Sequence, residues 1–131
     1  MGGTQWRSRE ANVLHYVDLT TDVMPGKGGA EMIREVATLS IKAGMRNDFE
    51  SAFRHASSIL EAARGYITHE LHKCVEAADR YIVIVQWHSL KEHAVGFRHT
   101  VQYEQWNALL EAYYESPPQV EHYVQIPVHL K

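Results

Sequence analysis

The sequence predicts an α+β domain of the ferredoxin-like type, with the element order β-α-β-β-α-β. Three observations predict this fold. Four short segments are rich in β-forming residues, two segments carry apolar residues at helical spacing, and a gap of hairpin length separates the second and third strands. The chain has 131 residues, of which 45% are hydrophobic and 22% are charged. This length is typical of one domain with one core.

The first strand and the first helix follow each other directly. Ile33 to Ile41 places apolar residues on one face, and the strand is expected to end at Lys42 to Gly44. Arg46 to Ala63 then carries apolar residues at helical spacing, and Gly65 follows its end. This part of the chain therefore predicts one strand and one amphipathic helix.

The second half of the pattern contains a hairpin, two helices and a last strand. Strands are predicted from Tyr66 to Lys73 and from Arg80 to Trp87, with a short loop between them. A short helix is expected from Leu90 to Phe97. A longer helix, Val101 to Tyr114, ends before Pro117 and Pro118, and Val120 to Ile126 is the last strand. On the inner side of the longer helix we expect Val101, Trp106, Leu109, Leu110 and Tyr113.

A four-stranded sheet with helices on one face leaves its other face open. Apolar strand residues predicted on that face would need a partner to cover them. We therefore expect a homodimer that packs through the sheet faces, with the open face carrying Ile67, Leu71, Ile82 and Ile84.

The first 31 residues differ from the rest of the chain. Val13 to Leu19 is rich in β-formers, and the Gly-rich segment Met24 to Gly29 indicates a break. We interpret residues 1–31 as an N-terminal arm that is flexible or packs on a partner, and residues 32–131 as the domain proper.

Composition excludes several classes of function. Thirteen basic and sixteen acidic residues give a net charge of −3 without a basic stripe, so a nucleic-acid partner is not expected. The single cysteine, Cys74, allows no internal disulfide. No apolar run predicts a membrane span, and the polar N-terminus lacks the apolar core of a signal peptide. These features predict a cytoplasmic protein without a membrane partner.

Metal binding is not expected either, although the chain has nine histidines. His69 and His72 are one residue too close for the HExxH motif, and on a strand they point to opposite faces. We interpret Glu35 and Glu70 as solvated acids of neighbouring strands rather than as a catalytic carboxylate pair.

Several motifs resemble those of a known family. They are LSIKAG before the first helix, GYITHELHKC after it, RYIVIVQWHS on the third strand, HSLKEHAVGFRHTVQYEQWNALL on the following helices, and PPQVEHY on the last strand. In this order they resemble the antibiotic biosynthesis monooxygenase family of dimeric α+β barrels, over residues 32–126.

The resemblance implies a cofactor-independent monooxygenase that oxidises a small polycyclic or quinol-like aromatic substrate with dioxygen. Family members of the anthrone-oxidising type use no flavin, haem or metal. His72 matches the second-strand histidine of that type and is our candidate base. Trp87 matches the third-strand tryptophan, and Gln86 precedes it. Both are expected to orient the substrate.

Other positions depart from the family's pattern. Val83 occupies the position of an asparagine and cannot hydrogen-bond to a substrate oxygen. His93 replaces a tyrosine and is our second polar candidate, while another register places Phe97 in that position. Asn107 replaces an arginine. The remaining candidates form an aromatic wall suited to planar rings: Trp87, Phe97, Tyr103 and Trp106.

Two other functions stay open at this point. The first is a non-enzymatic or stress-response barrel that binds a small hydrophobic ligand. The second is a haem-binding or haem-degrading enzyme, although the first strand lacks the asparagine that this branch uses. One fold supports all three functions, so the site must decide between them.

Overall fold

A computed structural model describes residues 32–130 of the chain. The predicted arm, residues 1–31, lies outside the described residues. The described part contains the strands β1 (Ile33–Ser40), β2 (Tyr66–Lys73), β3 (Arg80–Trp87) and β4 (Gln119–Tyr123), and the helices α1 (Arg46–Glu61) and α2 (Val101–Leu110). A π-helical segment, Leu90–Val95, precedes α2, and a 3₁₀ turn, Glu111–Tyr113, follows it.

The four strands form one antiparallel sheet with the order β2-β3-β1-β4. The two central strands, β1 and β3, pair along their whole length, from Ile33 opposite Trp87 to Ser40 opposite Arg80. Strands β2 and β4 are the edges. This arrangement confirms the predicted ferredoxin-like α+β fold. None of the helices within residues 32–130 is both long and apolar enough to cross a membrane.

The core lies between one face of the sheet and the helices. Strand β3 alternates regularly, so that Tyr81, Val83, Val85 and Trp87 are buried and the residues between them are more exposed. Helix α1 buries a stripe at helical spacing against this face, formed by Phe49, Phe53, Ala56 and Leu60. Most side chains that point inward from β1 and β3 are therefore buried.

The predicted inner side of the second long helix is confirmed in part, since Trp106, Leu110 and Tyr113 are buried or pack against the core. Val101 is 63% exposed and Leu109 is 44% exposed, so their assignment to the inner side is wrong. Leu110 and the polar Asn107 are buried, and Trp106 and Tyr103 pack partly against the core. The stripe thus has regular helical spacing but includes one amide.

Leu71 also lies on the opposite face from the predicted one. Tyr66 pairs with Trp87 but Thr68 pairs with Gln86, so β2 contains one extra residue, a β-bulge. After this bulge Leu71 lies opposite the buried Val83 and packs against the core. The open face of the sheet keeps the half-buried Ile82 and Ile84, as predicted.

Gly65, just before β2, gives a sharp test of this fold. Its φ is +81°, and a Cβ built there would lie 2.0 Å from the His93 ring. We expect Gly65→Ala to lower the free energy of unfolding by about 3 kcal/mol, from left-handed strain plus displacement of that ring. Gly44, with φ +80° and nothing within 4 Å of the added Cβ, is the control and should lose only about 1 kcal/mol. Urea unfolding measures both, and equal losses would contradict the close packing of His93.

Candidate active site

A cavity opens between the inner face of the sheet and the helices. It has a volume of about 50 Å³ and is partly open to solvent. Its walls come from β1, β3, β4, both helices, the loop before α2 and the segment that follows it. The lining includes Glu35, Val83, Trp87, Phe97, Arg98, Tyr103 and Trp106.

Glu35 is a buried carboxylate in the wall of this cavity, with only 6% of its surface exposed. The indole Nε1–H of Trp87 donates a hydrogen bond of 2.7 Å to its Oε1. The guanidinium of Arg98 donates to its Oε2 and forms an ion pair with it. Both carboxylate oxygens are therefore engaged by strong donors, as a buried charge requires.

The electrostatics of this group keep the carboxylate ionised. Burial raises the pKa of Glu35, but the charges of Arg98 and His122 and the two hydrogen bonds outweigh it, so its pKa lies below the ordinary value of 4.5. Burial lowers the pKa of Arg98, and the charge of Glu35 reverses this effect, so the net shift is upward. At neutral pH the site therefore contains a fixed negative and a fixed positive charge.

His122 approaches the same carboxylate from β4. Its Nε2 lies 4.0 Å from Oε1 of Glu35, because the two residues are cross-strand partners. Burial lowers the pKa of His122, Glu35 raises it, and Arg98 lowers it again, with a net downward shift. His122 is therefore mainly neutral at pH 7, and Arg98 supplies the positive charge.

The loop before α2 places Arg98 and Tyr103 beside each other. Thr100 is the N-cap of α2: its Oγ1 accepts from the amide of Tyr103 at 3.1 Å and donates to the carbonyl of Phe97 at 2.7 Å. This cap fixes the turn, and Nη1 of Arg98 then donates to the hydroxyl oxygen of Tyr103 at 3.1 Å. Glu35, Arg98 and Tyr103 thus form a continuous polar chain along the cavity.

Part of the predicted site comes together in this cavity. Val83 and all four residues of the expected aromatic wall line it. The ring of Phe97 lies 5.5 Å from that of Trp87 and 5.6 Å from that of Tyr103, and Trp106 packs edge-on against Phe53 at 5.3 Å. The wall is a real structural feature, and its role in substrate binding stays a prediction.

His72 and Gln86 lie on the other face of the sheet. His72 pairs with Ile82, and its Nε2 contacts Oε1 of Glu70 at 2.7 Å with half of its side chain exposed. Gln86 accepts a hydrogen bond from Thr68 on the same face. Strand alternation places His72 on the face of the sheet opposite the cavity, away from the buried side chains. Its catalytic role stays a prediction.

His93 and Asn107 also lie outside the walls of the cavity. Nδ1 of His93 lies 3.0 Å from the hydroxyl of Ser89, and its ring packs against Gly65. Asn107 is 2% exposed, and within the described residues its Nδ2 has no hydrogen-bond partner. Residues 32–130 contain no cluster of three or more His, Cys, Asp or Glu side chains that could hold a metal ion.

The sequence analysis missed Glu35 and Arg98. Glu35 is not the solvated acid that we expected, since it lies in phase with Ile33, Ala37 and Leu39 and so points into the core. The alternation of Glu35 with these apolar residues was the feature of the sequence that indicated its burial. Arg98 lies in the segment HSLKEHAVGFRHT that resembles the family, but no local pattern pairs it with Glu35, which lies 63 residues away.

The comparison with known proteins decides the family. Residues 32–109 match the antibiotic biosynthesis monooxygenase family. The chain belongs to this family. Its members are generally dimeric. An uncharacterized Bacillus subtilis protein, YczJ, is 44% identical over 95 residues, which are 72% of this chain and all of that protein.

Solved structures agree with this assignment. A Bordetella bronchiseptica protein assigned to the antibiotic biosynthesis monooxygenases superposes with a TM-score of 0.71 and 32% identity, over 74% of this chain and 99% of that chain. A variant of SnoaB, a cofactor-independent oxygenase from Streptomyces nogalater, superposes with a TM-score of 0.56 over 77% of this chain and 97% of its own. It is 18% identical and shares the fold alone.

The cavity also limits what can enter this conformation. An apolar cavity of about 150 Å³ holds one benzene ring, whereas the cavity here measures about 50 Å³. A ring must therefore stay partly outside or displace a wall, and a single ring fits more easily than a polycyclic one.

Proposed function

We propose that this protein is a cofactor-independent monooxygenase that oxidises a small phenol- or quinol-type aromatic with dioxygen. One observation carries the proposal in a chain of this family. The cavity combines the aromatic side chains of Trp87, Phe97, Tyr103 and Trp106 with a fixed polar chain at one end. Aromatic surfaces position a planar ring, and the polar chain orients its oxygen.

The substrate supplies the electrons in this proposal. With a hydroquinone, one atom of dioxygen replaces a ring hydrogen, the diol is oxidised to the dione, and the second oxygen atom leaves as water. The products are then a hydroxyquinone and water, and no external reductant is consumed. The protein would bind the ring, orient its oxygen and exclude water from the reacting carbon.

The test is oxygen uptake in flavin-free buffer that contains a metal chelator. We expect catalysed uptake with hydroquinone, slower uptake with the three-ring anthrone because of the cavity size, and one labelled oxygen atom in the hydroxyquinone when labelled dioxygen is used. Substitution of Phe97 by alanine should raise the rate with anthrone relative to hydroquinone, since it enlarges the cavity wall. An oxygen electrode measures the uptake rates, and mass spectrometry measures the label in the product.

Two outcomes would replace the proposal. Saturable binding of aromatics without any uptake would favour the barrel that binds a small ligand without catalysis. Stoichiometric haemin binding with a new Soret band would favour the haem-binding alternative. Leu109→Ala is a suitable control, because Leu109 is partly exposed on α2 outside the cavity wall and its loss should leave the ratio between the two substrates unchanged.

We also propose that the open face of the sheet forms the homodimer contact. Ile82 and Ile84 are half-buried on this face without helices above them, and Val36 lies beside Ile84 on the neighbouring strand. The pairing of His72 with Glu70 gives the same face a polar margin. Burial of such a surface against its copy would remove apolar area from water, at about 25 cal/mol per Å².

A further inference from the structure

We infer that Tyr103, held by Arg98, donates the hydrogen bond that selects an ionised substrate oxygen, and that Trp87 does not. This inference rests on the proposed function for the identity of the ligand, a phenol-type aromatic. It differs from the role that the family resemblance implies for the tryptophan. The reason is the position of Glu35.

Trp87 has no hydrogen to offer a substrate. An indole carries a single N–H donor, and that of Trp87 is 2.7 Å from Oε1 of Glu35. Trp87 is only 1% exposed, and its acceptor is a buried, ionised carboxylate, so the bond is a strong charge-assisted one. If this N–H turned to a substrate, the buried carboxylate of Glu35 would lose a hydrogen-bond donor. The free-energy cost of that loss exceeds the gain from a hydrogen bond to a neutral substrate oxygen. Trp87 therefore contributes its ring surface alone.

Tyr103 has the opposite arrangement. Its hydroxyl oxygen accepts from Nη1 of Arg98, and within residues 32–130 no group accepts the hydroxyl hydrogen. Tyr103 lines the cavity, so this hydrogen is the donor left for an oxygen that enters there. The Arg98 guanidinium also lies 5.3 Å from the centre of the Tyr103 ring, which fixes the orientation of the side chain.

The Arg98–Tyr103 end of the chain favours an anionic oxygen, because the guanidinium of Arg98 lies between Tyr103 and the carboxylate of Glu35. Glu35 cannot serve as the base, because both its oxygens are engaged and its pKa is lowered. A phenol that binds would instead lose its O–H proton to water, and the resulting oxyanion would accept from Tyr103. Hydrogen bonds to a charged oxygen are about twice as strong as those to a neutral oxygen, and the adjacent guanidinium strengthens the donor.

The experiment compares para-nitrophenol with para-nitroanisole, its methyl ether, which cannot ionise. We expect the folded protein to bind the phenol at least about tenfold more tightly than the ether, and to increase the phenolate absorption band of the bound ligand. Tyr103→Phe should reduce the affinity ratio towards one and abolish the increase in that band. Calorimetry gives the affinities and absorbance gives the ionisation.

Two control variants separate the candidate donors. Tyr113→Phe removes the same hydroxyl from a tyrosine that packs on Phe49 outside the cavity, and it should keep the ratio of the full chain. Trp87→Phe should weaken both ligands together, because ring surface is lost, and should also keep the ratio.

Each other outcome overturns the inference. A ratio that collapses in Trp87→Phe but persists in Tyr103→Phe would assign the donor to the indole. A wild-type protein that binds both ligands equally, or neither, would show that no oxyanion donor operates. These readouts need no turnover, so a failure of the oxygen-uptake test would reject the oxygenase and leave a phenol-selective site intact.

Discussion

Replacement of Glu35 by alanine is expected to lower the free energy of unfolding by about 3–5 kcal/mol, the largest stability loss that we expect from one substitution at this site. The reason is the partner left behind. The side chain of Arg98 is only 12% exposed, its pKa is raised above the ordinary value, and it would keep its charge without a carboxylate. Trp87 would lose the acceptor of its N–H at the same time. Urea unfolding followed by circular dichroism measures the change.

Two further variants distinguish a buried charge from ordinary packing. The double variant Glu35→Leu with Arg98→Met removes both charges and should recover most of the loss, since apolar replacement of a buried pair is often neutral. Glu92→Ala removes the partner of Arg64 from an exposed pair and should cost less than about 0.5 kcal/mol. A double variant as unstable as Glu35→Ala would contradict the electrostatic explanation.

The same carboxylate should make stability depend on pH in the acid range. The pKa of Glu35 is depressed in the folded chain, so its contribution is complete above the unfolded value, near 4.5, and is lost as the pH falls towards the folded value. The difference in unfolding free energy between the wild type and Glu35→Gln should therefore shrink as the pH falls below about 4.5. A difference that is constant with pH would show that folding does not lower the pKa of Glu35.

Local sequence patterns predicted the elements well, because strands and helices depend on periodicity over a few residues. The predicted bounds of β2 and β3 agree with the structure, and that of α1 differs by two residues at its end. The last strand is shorter, ending at Tyr123. Alternation also placed Ile33, Leu39 and Ile41 in the core.

The errors come from features that periodicity does not contain. A single extra residue before Thr68 exchanges the two faces of the rest of β2, so that Leu71 points inward. No residue type in the segment predicts this bulge. On α2 the inward stripe includes Asn107, so a search for apolar residues alone selected Leu109 instead.

The site was predicted only in part, for a related reason. The aromatic wall could be predicted because large aromatic side chains on and near the second helix are usually buried in the core. The polar chain could not, because it depends on a contact between β1 and a loop far along the sequence, and its carboxylate resembled a surface acid. The chemistry of this cavity thus depends on tertiary pairing, whereas its shape depends on local pattern.

The second large effect is expected from a charged substitution on the open face of the sheet. We expect Ile84→Lys to raise the dissociation constant of the proposed homodimer by about a thousandfold, so that at micromolar concentration the mass is 15.0 kDa instead of twice 15.0 kDa. In a two-fold interface both copies would bury the new ammonium group, each burial costs several kcal/mol, and every 1.4 kcal/mol is a factor of ten. Light scattering measures the mass.

The monomer itself should tolerate this change. Ile84 alternates with the buried Val83 and Val85, so its side chain leaves the core intact, and Glu70 beside it on β2 offers the lysine an opposite charge. Val101→Lys adds the same charge to an exposed position of α2 and should leave the dimer unchanged. An Ile84→Lys protein that is folded and still dimeric would place the contact on another surface. His72 shares this face, so a monomeric variant that keeps its oxygen uptake would also show that His72 needs no partner subunit for any role in catalysis.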